Sequence, residues 1–302
     1  MPTQQPTYSL ITDAVYGYLR ADPIPSDEAL RRYYEEEFYE RYKAFNDSSL
    51  ETQTRQKEFH DWRWGDMLDM AKRHFAHDPE RKLHVFEIGC GFCQALEYLA
   101  DRGCEVAGIE YAQSAVDYAR SRGLNVIQGG VNDLCGHERR YDVVLLVDVL
   151  EHLPRPAETL AIIRDHLLAA DGLLIIDVPN DANPLQDAAV KAHQLEPWWF
   201  VPPHHLNYFS PQTLAALVAA CGFEVRECET TFPLELFLLM NDVYVGNPAL
   251  GAACHEKRVN FERNMRRHAP GALHQLYAKL AEIGIGRQIV LSCASQSGAS
   301  HG

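Results

Sequence analysis

The sequence predicts an α/β protein: a doubly wound, mostly parallel seven-stranded sheet with an N-terminal helical cap and a helical insertion before the last strand. Three observations carry that expectation. From residue 83 onward, short runs of Val, Ile and Leu alternate with amphipathic segments, the pattern of strand–helix–strand units. Most of these runs are apolar throughout, as strands covered by helices on both faces must be. The first run, Leu83 to Ile88, passes directly into Gly89-Cys90-Gly91 and an amphipathic stretch from Ala95 to Ala100, which reads as a strand, a glycine turn and a helix start.

Taken in order, residues 1–25 carry prolines at 2, 6, 23 and 25 and little periodicity, so they read as an extended arm with one short strand at Tyr16 to Arg20. Ser26, followed by Asp27 and Glu28, has the form of a helix cap with acids in the first turn, favourable to the helix dipole. That helix is expected to run to about Phe45, with Tyr33, Tyr34, Phe38, Tyr39 and Tyr42 on a packed face or a pocket wall. A second helix, roughly Leu50 to Phe75, carries Phe59, Trp62, Trp64, Met67, Leu68, Met70 and Phe75. Such apolar bulk suits packing on the sheet or covering a ligand mouth. The polar run His77 to Lys82 marks a boundary, giving an arm and cap over 1–80 and a main domain over 81–302.

In that domain strands are expected at 83–88, 105–109, 124–128, 142–147, 172–178 and 223–231, with a closing strand at 287–293. Helices are expected at 93–102, 113–122, 157–168 and 211–221. Parallel pairing with right-handed crossovers follows. Residues 232–286 exceed a minimal sheet of this kind. They hold an apolar segment, Leu234 to Met240, a G-N-P turn and charged helical segments around 255–268 and 272–283. This insertion suits a substrate lid, a contact in a homodimer, or an extra helical layer.

Composition narrows the function. At 302 residues the chain can bury a substantial core. Its 28 basic and 42 acidic side chains give a net charge of −14, which argues against nucleic acid as a partner because phosphate binding needs a basic footprint. No apolar stretch approaches the length of a membrane span and the first residues lack a signal pattern, so a cytoplasmic location is expected. The eight cysteines are scattered, as reduced thiols would be. Cys90 and Cys93 have C-x-x-C spacing, but no second close pair exists and the spacing falls inside the glycine turn. No metal is expected.

The glycine turn and an acid one strand later indicate a nucleoside site. Glu110 ends the second strand nineteen residues after Gly91, where a carboxylate would meet a ribose. Two features favour S-adenosylmethionine over a dinucleotide: Glu87 stands two residues before the first glycine, and Gln94 replaces the third glycine of G-x-G-x-x-G. A carboxylate there repels pyrophosphate and suits an ammonium or sulfonium group.

E-I-G-C-G-F-C at 87–93, G-I-E-Y at 108–111, Y-D-V-V-L-L-V-D-V-L-E-H-L-P-R-P at 141–156 and L-A-A-D-G-L-L-I-I-D-V-P-N at 168–180 resemble, in order, the motifs of class I S-adenosylmethionine-dependent methyltransferases. The resemblance covers roughly residues 80–230. It implies a Rossmann-like fold, S-adenosylmethionine as cofactor and S-adenosylhomocysteine as product. By resemblance, the backbone at Gly89, Cys90 and Gly91 would hold the methionine end, with Glu87 near its ammonium. Glu110 would take the ribose hydroxyls and Tyr111 or Ile109 would pack beside the adenine. Gly130 stands where family members often place an Asp for the adenine amino group, so that role passes to Asn132, Asp133 or backbone. Val147, Asp148 and His152 would close the pocket. A second stretch, Y-L-R-A-D-P-I-P-S-D-E-A-L-R-R-Y-Y-E-E-E-F-Y, is similar to a segment that in some bacterial methyltransferases follows a cysteine pair. No cysteines precede it here, and no metal-binding ribbon is expected.

Between strand 172–178 and helix 211–221 lies a loop of more than thirty residues, a length typical of functional loops. It offers Trp198, Trp199 and Phe200 as apolar walls, Asn207 and Tyr208 as hydrogen-bonding groups, and His204 or His205 as a general base for a hydroxyl acceptor. The same rings could simply pack over the sheet. The expected activity is methyl transfer to a small molecule, with oxygen of a sugar or secondary metabolite as the leading acceptor and nitrogen or carbon as alternatives. The rivals are a nicotinamide-dependent oxidoreductase and a partner subunit that binds cofactor without turnover.

Overall fold

The computed structural model describes residues 7–33 and 56–296. Seven strands form the main sheet: β3 (His84–Ile88), β4 (Glu105–Glu110), β5 (Asn125–Gln128), β6 (Tyr141–Val147), β7 (Leu168–Pro179), β9 (Phe223–Thr230) and β10 (Gln288–Ser295). Their spatial order is β5–β4–β3–β6–β7–β10–β9. Pairing is parallel from β5 to β7, and β10 runs antiparallel to both its neighbours. The sheet is thus the mostly parallel, doubly wound one that the apolar runs predict.

Side-chain alternation divides the core between two faces. On one face Val143 and Leu145 of β6 pack with Trp64, Met67 and Met70 of α2 (Lys57–His74) and with Leu99 of α3 (Gln94–Ala100). On the other, Val144 and Leu146 meet Leu160 of α5 (Pro156–Ile162) and Leu214, Leu217 and Val218 of α7 (Pro211–Ala220). The helix α4 (Gln113–Ser121) completes a small cluster in which Val116 and Ala119 pack with Cys90, Cys93 and Leu96. Full burial of each Leu or Val stabilises the sheet by about 1.5–3 kcal/mol.

Two expectations are corrected. The N-terminal arm holds a hairpin instead of one strand at Tyr16 to Arg20: β1 (Ser9–Thr12) pairs with β2 (Leu19–Asp22), and β8 (Asn207–Tyr208) adds a third strand. Asp13 makes the turn, its Oδ1 accepting from the N–H groups of Val15 and Tyr16 at 3.0 and 2.9 Å. The long segment after β7 is not all loop, because α6 (Pro184–His193) occupies its first part. Asn183 caps that helix, accepting from Leu185 N–H and Gln186 N–H, with Pro184 at its first position.

The first helix, α1 (Asp27–Arg32), is capped as expected by Ser26, which accepts from Ala29 N–H at 3.2 Å. Its expected continuation to Phe45, with Tyr34, Phe38, Tyr39 and Tyr42, lies outside the described residues. Between β9 and β10 the chain forms α8 (Glu235–Leu239), α9 (Pro248–His268) and α10 (Pro270–Glu282). The two longer helices begin earlier than the charge pattern indicates, since Asn247 and Pro248 cap and open α9, and Pro270 opens α10.

Candidate active site

At the C-terminal ends of β3, β4 and β6 opens a cleft of about 740 Å³, the position where open α/β sheets bind ligands. Gly89 and Gly91 form part of its wall. Gly89 has φ +69°, and a Cβ there would stand 2.7 Å from Val149 Cγ2, so no side chain fits. Gly91 N–H donates to Glu110 Oε2 and Ala112 N–H to Oε1, both at 2.9 Å. The buried carboxylate at the end of β4 therefore holds the glycine turn in register with the next strand.

Tyr111, Asn132, Asp133, Val147, Asp148 and His152 line the same cleft. Asp133 Oδ2 accepts from Gly130 N–H at 2.8 Å, fixing the turn after β5. From the opposite side α1 contributes Glu28 and Leu30. Two of the expected contacts lie beneath the surface. Cys90 is buried with its Sγ 3.5 Å from that of Cys93. Glu87 is 5% exposed and its Oε2 has no hydrogen bond among the described residues. Burial pushes the Glu87 carboxyl well above its ordinary range, and Cys93 adds to this while Arg63 opposes it. An orphaned acid beneath a glycine cradle fits a ligand that brings its own positive charge.

Arg63 is a residue that the motifs did not reveal. From α2 its Nη2 donates to Asp148 Oδ2 at 2.9 Å and its Nε to Asp177 Oδ2 at 2.6 Å. Gln288 Nε2, at the start of β10, donates to Asp148 Oδ1 at 2.8 Å. Burial raises the Asp177 carboxyl to about 6 against the pull of Arg63. The available signals were a single cation between two tryptophans and an amide opening an apolar strand.

The loop before α7 brings three imidazoles together. His152 Nδ1–H donates to the His204 carbonyl, which assigns its tautomer. The ring centroids of His152, His204 and His205 lie 4.5 to 5.0 Å apart, and their candidate ligand nitrogens all fall within 4.8 Å. Desolvation, reinforced by the neighbouring rings, pushes His152 down to about 3 and His204 down to about 4. His205 Nδ1 stands 3.6 Å from Asp181 Oδ2. Burial acts to raise the Asp181 carboxyl, but His205, Arg287 and Gln186 outweigh it and hold it below the usual carboxylate value.

Of the other expected acceptor contacts, Asn207 clamps the backbone, donating to the carbonyls of Leu150, Glu151 and Leu153. Tyr208 Oη donates to the His205 carbonyl at 2.9 Å and packs on Trp199 and Phe200. Trp198 is half-buried. None of these five residues lines the 740 Å³ cleft; Trp199, Phe200 and Tyr208 pack on one another beside the histidines.

A sequence profile described as "Methyltransferase domain" matches residues 47–228. The chain belongs to this family. It is an S-adenosylmethionine-dependent methyltransferase. The methyltransferase resembles the ubiquinone biosynthesis O-methyltransferase of Azorhizobium caulinodans, with 30% identity over 181 residues that span 55% of this chain and 70% of that protein. The enzyme of the same name from Saccharophagus degradans is 27% identical over 169 residues, or 52% and 70% of the two chains. In fold it is similar to the plantazolicin methyltransferase BpumL, solved in complex with SAH, at a TM-score of 0.54 and 14% identity, covering 89% of this chain and 94% of that one.

Proposed function

We propose that this methyltransferase O-methylates a small molecule, with the donor seated in the 740 Å³ cleft and the histidine trio receiving the hydroxyl proton. The observation that carries the reading is the junction of the two: His152 lines the cleft, its ring tilted against His204 and edge-on to His205, which stack on each other. The printed names of the curated relatives, which are O-methyltransferases, support oxygen as the acceptor atom.

S-adenosylmethionine, when bound, supplies an electrophilic methyl on a positively charged sulfur. The protein's own contribution is alignment, exclusion of water and handling of one proton. Gly89, Cys90 and Gly91 would hold the methionine end, with Glu87 near the ammonium and Glu110 on the ribose hydroxyls. Tyr111, Asn132 and Asp133 would flank the adenine, while Val147, Asp148 and His152 close the cleft. Transfer of that methyl to oxygen would require the acceptor hydroxyl to give up its proton. His204, which burial holds neutral, or its neighbour His205 would take that proton. Asp181 would orient His205.

Incubation with S-adenosylmethionine and a panel of single-ring hydroxylated molecules, read by mass spectrometry, tests this. O-methylated product is expected, with His204→Ala or His205→Ala lowering turnover by about 10²–10⁴-fold at unchanged cofactor affinity. Methyl found on nitrogen or carbon, or both variants retaining full turnover, would overturn the respective part. Among the described residues no helix is long and apolar enough to cross a membrane, and the eight cysteines are free. The free thiols support a reducing setting, as in the cytoplasm.

A further inference from the structure

His152, His204 and His205 each offer a nitrogen within 4.8 Å of the others, and among the described residues no other group of His, Cys, Asp or Glu side chains converges in this way. Two chain segments supply them, and hydrogen bonds to the backbone pin those segments together. His152 closes the short helical turn Leu150–His152 after β6. Leu206 N–H donates to the Glu151 carbonyl at 2.8 Å, and the Asn207 amide spans the carbonyls of Leu150, Glu151 and Leu153. The three rings are therefore brought to one point by a braced backbone, as a built site requires.

An imidazole that binds a metal through one nitrogen almost always gives its other N–H to a carboxylate or a backbone carbonyl. Two of the three rings already have that outer partner. His152 uses Nδ1 on the His204 carbonyl, so its lone pair lies on Nε2. His205 turns Nδ1 toward Asp181 Oδ2 at 3.6 Å, which places its lone pair on Nε2 as well. Asp181 is buried and anchored in turn, its Oδ1 accepting from Gln186 Nε2 and Arg287 Nη1, each at 3.1 Å.

The charge around the rings also favours a cation. Glu151 is buried with Oε1 3.5 Å from His152 Nε2, and its Oε2 has no hydrogen bond among the described residues. Arg287 offsets Asp181 on the far side from the rings, and Arg63 and Gln288 take the oxygens of Asp148. Buried charge needs an opposite partner, and Glu151 is the carboxylate left to supply it.

We propose that the trio is a zinc site, in which the three imidazoles bind one Zn²⁺ and water from the donor cleft takes the fourth position. An imidazole set suits zinc, and three histidines with one open position is a recurrent zinc arrangement. Zn–N bonds of about 2.0–2.1 Å set tetrahedral neighbours about 3.3 Å apart, so the widest pair of nitrogens must draw in by about 1.5 Å. His152 lines the cleft and gives the ion its way in. The site goes beyond the O-methyltransferase reading and bears on it: a ring whose lone pair is on zinc has none for the acceptor's proton. The loaded protein should therefore turn over more slowly, and a chelator should restore it.

Zinc titrated into the untagged protein against a chromophoric chelator should show one equivalent bound per chain. Co²⁺ in its place should give the intense visible bands of four-coordinate cobalt, which scattered surface ligands, leaving cobalt six-coordinate, do not produce. His205→Ala should remove both the equivalent and the bands, and Asp181→Asn should weaken zinc by about 10- to 100-fold. His77→Ala, which alters an exposed member of the chain's 14 histidines, should change neither. Absence of a bound equivalent, six-coordinate cobalt alone, or undiminished zinc affinity in His205→Ala would each overturn the proposal, and the wild-type cobalt spectrum decides it even where a variant fails to fold. Those results would leave the O-methyltransferase reading standing so long as product carries its methyl on oxygen. Zinc bound at the trio with turnover unchanged would support the site and end the assignment of His204 or His205 as proton acceptor.

Discussion

Glu110 and Glu87 are both buried carboxylates beside the same turn, yet their surroundings give them different work. Glu110 accepts two backbone N–H groups. Glu110→Ala removes both charge-assisted bonds, and calorimetry should find affinity for S-adenosylhomocysteine about 10- to 100-fold weaker. Glu87 has an oxygen with no partner and a carboxyl raised by burial. A cation placed beside it favours the ionised form, so cofactor binding should release a proton. Calorimetric titration in buffers of different ionisation enthalpy reads that release, and Glu87→Gln should remove the buffer dependence. His204 gives a third residue-level expectation. Its pKa falls from 6.5 to about 4 on folding, so between those values the unfolded chain binds the proton and the folded chain does not. Stability is therefore lost as pH drops from 6.5 toward 4, and thermal melts of His204→Gln should show a shallower loss. Glu87, Glu110 and the histidine pair were legible because they sit in or near recognisable strings. Arg63 and Gln288 were not, since their importance arises only when α2 and β10 converge on Asp148.

At the scale of elements, the glycine turn is the most constrained piece. Gly89→Ala would force an L-residue to φ +69° and bring its Cβ to 2.7 Å from Val149. The left-handed conformation alone costs about 1–2 kcal/mol, and the contact adds to it. A melting temperature lower by several degrees, together with weaker cofactor binding, is expected. The strands were readable because each fully covered strand must be apolar, and β6 is buried along its whole length. The hairpin β1–β2 was harder to see. Its third strand, β8, comes from residues 207–208, long after β2 in the chain, and its turn combines the Asp13 side chain with backbone bonds from Asp13 to Tyr18 and from Gly17 to Asp13. Helix α6 was written in the sequence as Asn183-Pro184, a cap followed by a first-position proline. Its polar surroundings and the following tryptophans made the whole segment read as loop.

For the molecule as a whole, α2 joins the parts. Trp64 is buried against the sheet while the adjacent Arg63 reaches Asp148, and Asp66 of the same helix pairs with Arg266 of the insertion. Trp64→Ala should destabilise the protein by about 3–5 kcal/mol in urea titration, and Arg63 would lose its anchorage with it. Charge alone excluded few partners; it took the folded arrangement to gather four arginines around one cavity at the start of β10 in a chain of net charge −14. The central claim is that the glycine turn and Glu110 hold the donor nucleoside, and a crystal structure with S-adenosylhomocysteine tests it most directly. The account predicts ribose hydroxyls hydrogen-bonded to Glu110 and the amino-acid end at Gly89 to Gly91, above Glu87. A nucleoside bound elsewhere, or bound in the cleft with Glu110 out of reach of the ribose, would contradict it.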